Sequence, residues 1–439
     1  MRSAIIWCFL LLTYALGAAE PALTRTESIA LLAPYGGVSQ RGVDTSTLTG
    51  KIVTGYQGWF NVPGDGSGRG WTHLGRRGVF APGRCNIEIW PDVSELPPSD
   101  RFPTEFRLAD GSVAEIFSSF RQATVDLHFK WMREYGIDGA FVQRFANELG
   151  DAKAFHHRNT VLNHARAAAN QTGRGYVVMY DLSGLTTETF HRVADDWKIL
   201  CDHMRIGRDE KDLAYFKHRG KPLVVVWGVG FNDDRGYSLK DCEQLIDFLK
   251  DDPKYGGNTI MVGVPYYTRE LKADAINEVD LHRVLKKADI INPWSVGRFS
   301  VDRDSQNMIN KTVKPDIAWC DKHGWDYMPI IWPGFSWHNM REGETKFDQI
   351  PRQGGQFMWR QANAVLSGGA KMIYVAMFDE LDEGTAIFKC SNNPPIGASP
   401  FLREVDVPSD HYLWLTGQIG RALRGEIPAS STMPMRPKQ

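Results

Sequence analysis

The sequence predicts an α/β protein built as a single (β/α)8 TIM barrel with a long loop after the first strand. Three observations predict it. Eight short apolar runs recur along the 439 residues. They are nearly continuous in hydrophobicity, as strands buried on both faces of a parallel sheet are. Stretches of helical period separate them. Polar and aromatic residues gather where the runs end, the face that carries function in such barrels. The rival architecture is an open doubly wound sheet. No GxGxxG follows any run, which counts against its dinucleotide-binding form.

The strands are expected at "KIVTGY" (51–56), "DGAFVQRF" (138–145), "GYVVMYD" (175–181), "PLVVVWG" (222–228), "TIMVGVP" (259–265), "ADIINPW" (288–294), "YMPIIWP" (327–333) and "MIYVAMF" (372–378). Leu127, Trp131, Met132 and Tyr135 share a helical face that Gly136 stops. Val161, Leu162, Ala165 and Ala168 form a second stripe, and Phe190, Val193, Trp197, Leu200 and Cys201 a third. Ser238 and Asp241 have the spacing of a capping box ahead of Cys242, Leu245, Ile246 and Leu249. Met358, Ala362, Val365 and Leu366 lie on one face before Gly368-Gly369.

Four segments follow. Residues 1–19 have a positive start at Arg2, an apolar stretch too short for a membrane span, and small residues at Gly17-Ala18-Ala19, which is the pattern of a signal peptide. Residues 20–49 read as an N-terminal lead-in, 50–425 as the barrel, and 426–439 as a flexible C-terminal tail. The Gly- and Pro-rich stretch from 57 to about 120 is expected to fold over the barrel mouth. The mature chain is therefore expected outside the cytoplasm, secreted or periplasmic, with no membrane span.

With 51 basic and 52 acidic residues the net charge is -1, and no basic block points to nucleic acid. Cys85, Cys201, Cys242, Cys320 and Cys390 remain after the signal. Five is odd and none forms a CxxC, so mostly buried thiols are expected, with room for one disulfide. Asn170 and Asn310 head glycosylation patterns.

Each strand end offers candidates. The first gives Tyr56, Gln57 and Trp59, the second Gln143 and Arg144, the third Tyr180 and Asp181. Trp227 ends the fourth, Tyr266 and Tyr267 the fifth, Trp294 the sixth with Asn292 and Arg298, and Trp332, Trp337 and His338 the seventh. Aromatic faces beside amides and carboxylates suit a carbohydrate, whose C–H faces stack on rings and whose hydroxyls need donors and acceptors. Each also has a plain structural role open to it. Trp at a strand end often caps a core, Asp181 could cap the next helix, and Arg144 could pair with a structural acid.

The eighth run ends in "FDELDEGT", with Asp379, Glu380, Asp382 and Glu383 inside five positions. Acids this dense repel one another. A solvated loop or a helix amino terminus would tolerate them, and a calcium loop would need an alternating D-x-D-x-D-G pattern that is missing. A chain that turns sharply near Gly384 would bring Glu380 and Glu383 together. That gives a carboxylate pair of the kind glycoside hydrolysis uses, one acid protonating the leaving oxygen and the other acting as base or nucleophile.

"FDELDEGT" at 378–385 resembles the E-x-x-E-G-T signature of glycoside hydrolase family 99, the endo-α-mannosidase family, and of its relatives grouped with family 71, a set that includes bacterial proteins labelled xylosidases or arabinosidases. "GYQGWF" (55–60), "GWTHL" (70–74) with Trp71 and His73, and "IIWPGFSWHN" (330–339) are also similar. The resemblance spans roughly 50–425. It implies a (β/α)8 barrel, hydrolysis with retention, and no catalytic metal or cofactor. It also implies that Glu380 is the base on the sugar 2-hydroxyl and Glu383 the acid/base. Leu381-Asp382 stand where the family usually has Trp-His, a departure that bears on mannose preference. The functional expectation is a secreted retaining glycoside hydrolase acting on a poly- or oligosaccharide; the alternative is a non-catalytic carbohydrate-binding barrel.

Overall fold

The computed structural model describes residues 23–300 and 305–437. The signal peptide expected at 1–19 lies outside the described residues. All eight expected strands are present: β1 (Ile52–Tyr56), β2 (Gly139–Phe145), β3 (Gly175–Asp181), β4 (Lys221–Trp227), β5 (Thr259–Pro265), β6 (Ile290–Trp294), β7 in two pieces (Asp326–Tyr327 and Ile330–Ile331) and β8 (Ile373–Val375). They pair in parallel in chain order, and β8 pairs back onto β1 through Ile52 and Ile373, which closes the barrel.

β7 is split because Pro329 sits at its centre and has no N–H to give to a ladder. Its first piece pairs with β6 and its second with β8. Side chains fill the gap: Asn292 Nδ2 donates to the Met328 carbonyl at 2.7 Å and Ser295 Oγ to that of Ile330 at 2.9 Å.

A helix follows each strand: α1 (Gln122–Tyr135), α2 (Ala152–Thr172), α3 (Arg192–Ile199), α4 (Leu239–Asp251), α5 (Asp280–Leu285), α6 (Lys314–His323), α7 (Gln356–Gly368) and α8 (His411–Leu423). α1 ends where Gly136 takes φ 74°, a left-handed cap that costs glycine least. α4 starts with the expected capping box between Ser238 and Asp241. Its face of Cys242, Leu245, Ile246 and Leu249 is buried. Burial of each of the three aliphatic side chains is worth on the order of 1.5–3 kcal/mol. Among the described residues no helix is long and apolar enough to cross a membrane.

The stretch after β1 covers the mouth, as expected. It carries an antiparallel hairpin, Phe102–Arg107 against Val113–Ile116. It docks on the segment after β8: Pro91 bridges to Cys390, Arg107 bridges to Ile396, and the Glu88 N–H donates to the Leu381 carbonyl at 2.8 Å.

The lead-in runs across the opposite end of the barrel. Its Val43 N–H reaches the Gly173 carbonyl ahead of β3, and Leu48 N–H reaches His218 Nδ1. Asn170, the first glycosylation candidate, is buried: its Nδ2 donates to Arg166 O and Asp212 while its Oδ1 accepts from Ser39. No sugar has access to it. The stretch expected to be a flexible tail makes fixed contacts: Trp359 Nε1 donates to Ser430 O at 2.9 Å, and Arg436 pairs with Asp410 at 2.7 Å. All five described cysteines are unpaired.

Candidate active site

The end of β8 folds back on itself. Phe378 N–H donates to the Gly55 carbonyl of β1, and Ile387 N–H returns to Met377. Ala386 N–H donates to the Glu380 carbonyl and closes the loop between them. Gly384 makes the turn at φ 65°, where a side chain would meet Leu402 and the Ser336 backbone. The acids between these ties are thereby held at the carboxyl end of the barrel.

Their partners divide the work. Asp379 is fully buried and accepts the backbone N–H groups of Gln57 and Gly58 at 2.7 and 2.8 Å, which clamps the chain leaving β1. Burial pushes its carboxyl up to about 7 against those donors. Glu380 is 5% exposed and accepts from Gln57 Nε2 and Thr385 Oγ, both at 2.7 Å. Burial drives it well above the usual carboxylate range, and the Glu383 charge is the next contributor, followed by Asp382. Glu383 is half-buried. Burial and then Asp382 push it up to about 7, opposed by the guanidinium groups of Arg298 and Arg341. Glu380 and Glu383 thus titrate as a pair and retain a proton into the neutral range.

Several expected residues gather around this pair. Trp59 stacks flat on His73, centroids 3.9 Å apart and planes 9° off parallel, and on Phe145 of β2 at 4.8 Å. His73 Nδ1 reaches Asp382 Oδ2 at 3.4 Å. Gln143 and Asp181 point into the barrel beside Tyr374 of β8, whose hydroxyl feels the charges of Glu380, Asp181 and Asp379. Asp181 also accepts the Ser183 N–H, so it holds the turn after β3 as well. Trp227 and Trp294 meet edge to face at 5.3 Å on the facing strand ends. Trp227 lies across Gly263, where a Cβ would fall 2.2 Å from its ring. Trp337 is half-buried beneath Arg341, whose guanidinium carbon sits 4.5 Å from the ring centroid. Its neighbour Ser336 donates its N–H to the Glu383 carbonyl at 3.0 Å.

Other expected residues point elsewhere. Tyr56 faces outward and its hydroxyl meets His128 of α1 at 2.9 Å. Arg144 is fully buried behind the sheet, bound to Asp196 of α3 and to Asn159 of α2, and the Tyr180 hydroxyl joins the same Asp196 at 2.7 Å. Tyr266 lines a small cleft with Asp316, Trp319 and Tyr327, against α6. Trp332 has no exposed surface and packs on Phe357 of α7. These five belong to the structural shell. The cause is strand parity: neighbouring residues on a strand face opposite sides. Trp71 packs on Phe80 within the mouth-covering stretch, and Tyr267 on Tyr266. His338 turns to the Thr345 carbonyl and lines a separate cleft with Arg76 and Asn339.

Three contributors are absent from the set the sequence singled out. Thr385 holds Glu380, and Arg341 bears on Glu383. Glu88 is the third: it is fully buried and accepts from Ser336 Oγ at 2.6 Å. Gln57 was visible at a strand end. Its odd position relative to Tyr56 is the signal that it faces inward.

No protein-family model and no curated protein matches the chain. Solved structures do. The GH99 endo-α-mannosidase from Bacteroides thetaiotaomicron, in complex with bis-tris propane, superposes with a TM-score of 0.60 at 16% identity, covering 86% of this chain and 99% of that one. A second structure of that enzyme gives 0.60 at 15% identity, with the same coverage. The fold is GH99-like. A glycoside hydrolase-like protein also matches, with a TM-score of 0.51 at 11% identity over 90% of this chain and 99% of that one.

Proposed function

We propose that this chain is an exported glycoside hydrolase that cuts a poly- or oligosaccharide with retention of configuration, using Glu380 and Glu383. The observation that carries the proposal is the folded-back loop after β8, which holds Glu380 and Glu383 at the carboxyl end of the barrel with the Glu383 charge bearing on Glu380. The GH99-like fold supports it. So do buried polar atoms at the strand ends and in the loop after β8 that have no partner among the described residues: Gln57 Oε1, Gln143 Oε1, Trp59 Nε1, Trp227 Nε1 and Asp382 Oδ1. Buried polar atoms are normally satisfied, and a polyhydroxylated ligand would satisfy these.

The chemistry balances as follows. Glu380, held ready by Gln57 and Thr385, takes the proton of the sugar 2-hydroxyl as that oxygen bonds to the anomeric carbon. Glu383 gives its proton to the glycosidic oxygen as the old bond breaks. Glu383 then takes a proton from water as the water oxygen attacks the anomeric carbon, the bond from that carbon to the 2-oxygen breaks, and Glu380 returns its proton to the 2-oxygen. Two inversions at one carbon give net retention. The substrate is expected to be of the endo-α-mannosidase or the xylosidase/arabinosidase type. Export rests on the signal-like pattern at 1–19.

A panel of extracellular polysaccharides, with released sugars quantified and the anomer of the first product read by NMR, tests the proposal. Glu383→Gln and Glu380→Gln are each expected to lower turnover by at least about 100-fold. Sugar release that is unchanged in Glu383→Gln would overturn the assignment. Binding without release from any polymer would favour a carbohydrate-binding barrel.

A further inference from the structure

We propose that Asp382 and His73 form a specificity-determining contact that grips one hydroxyl of the sugar beside the scissile bond. The inference rests on the glycosidase reading above. It concerns residues that do no bond making or breaking themselves.

Asp382 stands between the two glutamates and is 2% exposed. One of its oxygens, Oδ2, meets His73 Nδ1 at a long 3.4 Å. The other, Oδ1, is buried and has no hydrogen-bond partner among the described residues. A buried carboxylate oxygen left in this state carries an uncompensated desolvation cost. Several donors around it are committed: Thr385 and Gln57 Nε2 serve Glu380, and the Gln57 and Gly58 N–H groups serve Asp379. A hydroxyl brought by a ligand would satisfy Oδ1.

His73 supplies the second half. Its ring is held in the flat stack on Trp59, and its backbone takes φ 61°, in the left-handed region that few residues other than glycine adopt. About a third of its side chain is exposed, so the ring edge opens toward the mouth. With Nδ1 turned to Asp382, Nε2 is the edge available to a ligand. The Trp59 indole N–H, in the same stack, is also without a partner. Two acceptors, one donor and a flat aromatic surface in one continuous stack fit a neutral sugar that presents a hydroxyl to a carboxylate.

The test is a thermodynamic cycle. Wild type, Asp382→Asn and His73→Gln are compared on the best substrate of the panel and on its monodeoxy analogues, with kcat and KM resolved and thermal unfolding recorded for each variant. Asp382→Asn is expected to lose roughly ten- to a hundredfold in kcat/KM on the full substrate, the range of a hydrogen bond to a charged group. It should lose almost nothing further on the one analogue that lacks the gripped hydroxyl. His73→Gln should show the same pattern, smaller. Equal losses on every analogue would overturn the proposal, because a displaced loop penalises all substrates alike. If the chain binds glycans without cleaving them, the same cycle is run on dissociation constants with the same two outcomes. If wild type neither binds nor cleaves any glycan, the glycosidase reading fails and this proposal with it. A chain that cleaves glycans but shows uniform losses sinks this proposal alone.

Discussion

Gln57 shows how a single side chain sets the chemistry of the pair. Its Nε2 donates to Glu380, and a donor to a carboxylate favours the ionised form. Removing it raises an already raised pKa. Glu380 must be ionised to act as base and Glu383 protonated to act as acid, yet burial raises Glu380 further than Glu383, whose carboxyl lies at about 7. The active form is therefore the minor one-proton form of the pair, and both limbs of the pH–rate profile belong to the pair. Gln57→Leu makes that form rarer, so the maximum should fall about tenfold, and the alkaline limb, where the pair loses its last proton, should move to higher pH. A pH–rate profile of the two proteins checks both effects, and an alkaline limb that does not move would reject the role given to Gln57. At this scale much of the site was legible. The carboxylates are adjacent in sequence, and their density marks them. Of their surroundings, Gln57 and Arg298 stood at strand ends and were legible, whereas Arg341, Glu88 and Ser336 were not, because they come from segments brought in only by folding.

At the scale of elements, the strands and helices were readable because burial on both faces leaves continuous apolar runs and the helices keep their period. The facing of strand-end residues is the harder part: Tyr56, Arg144, Tyr180, Tyr266 and Trp332 turn to the structural shell. Gln143 pairs with Met179 and Arg144 with Tyr180 in register, so Gln143 and Met179 face inward while Arg144 and Tyr180 face the helices. Applying the two-residue period across neighbouring strands would have separated them. The outward pair does structural work that makes its own prediction. Arg144 and Tyr180 both bind Asp196 on α3, fully buried. Asp196→Asn leaves a buried guanidinium without its counter-charge, a change that typically costs 3–5 kcal/mol. Denaturant unfolding should show that loss, while kcat measured well below the unfolding transition should stay within a few-fold of wild type. A large drop in kcat without loss of stability would place Arg144 back in the site.

At the scale of the whole molecule, the stretch after β1 lies over the end of the barrel that holds the acids, and the burial there has an electrostatic cost. Asp379 and Glu383 are pushed up to about 7 and Glu380 is raised further, in each case chiefly by burial. A carboxyl whose folded pKa exceeds its unfolded value binds more protons when folded. Its linkage contribution therefore favours folding below the unfolded value near 4 and is lost as pH rises through the folded value near 7. The site thus destabilises the fold above neutral pH, as functional sites often do. Replacing Glu383 by Gln removes one of these buried charges and keeps the shape. At pH 8 the variant should be more stable than wild type by roughly 1–3 kcal/mol, discounted for the half-exposed position. At pH 5, where wild-type Glu383 is protonated, the two should be nearly equal. Thermal unfolding across pH 5–8 reads this directly as a gap of a few degrees that opens with pH. A gap of constant size would mean that Glu383 gains or loses stability by packing instead. A gap that closed with rising pH would mean that its ionised form is the one the fold prefers, and the acid role assigned to it would have to be given up.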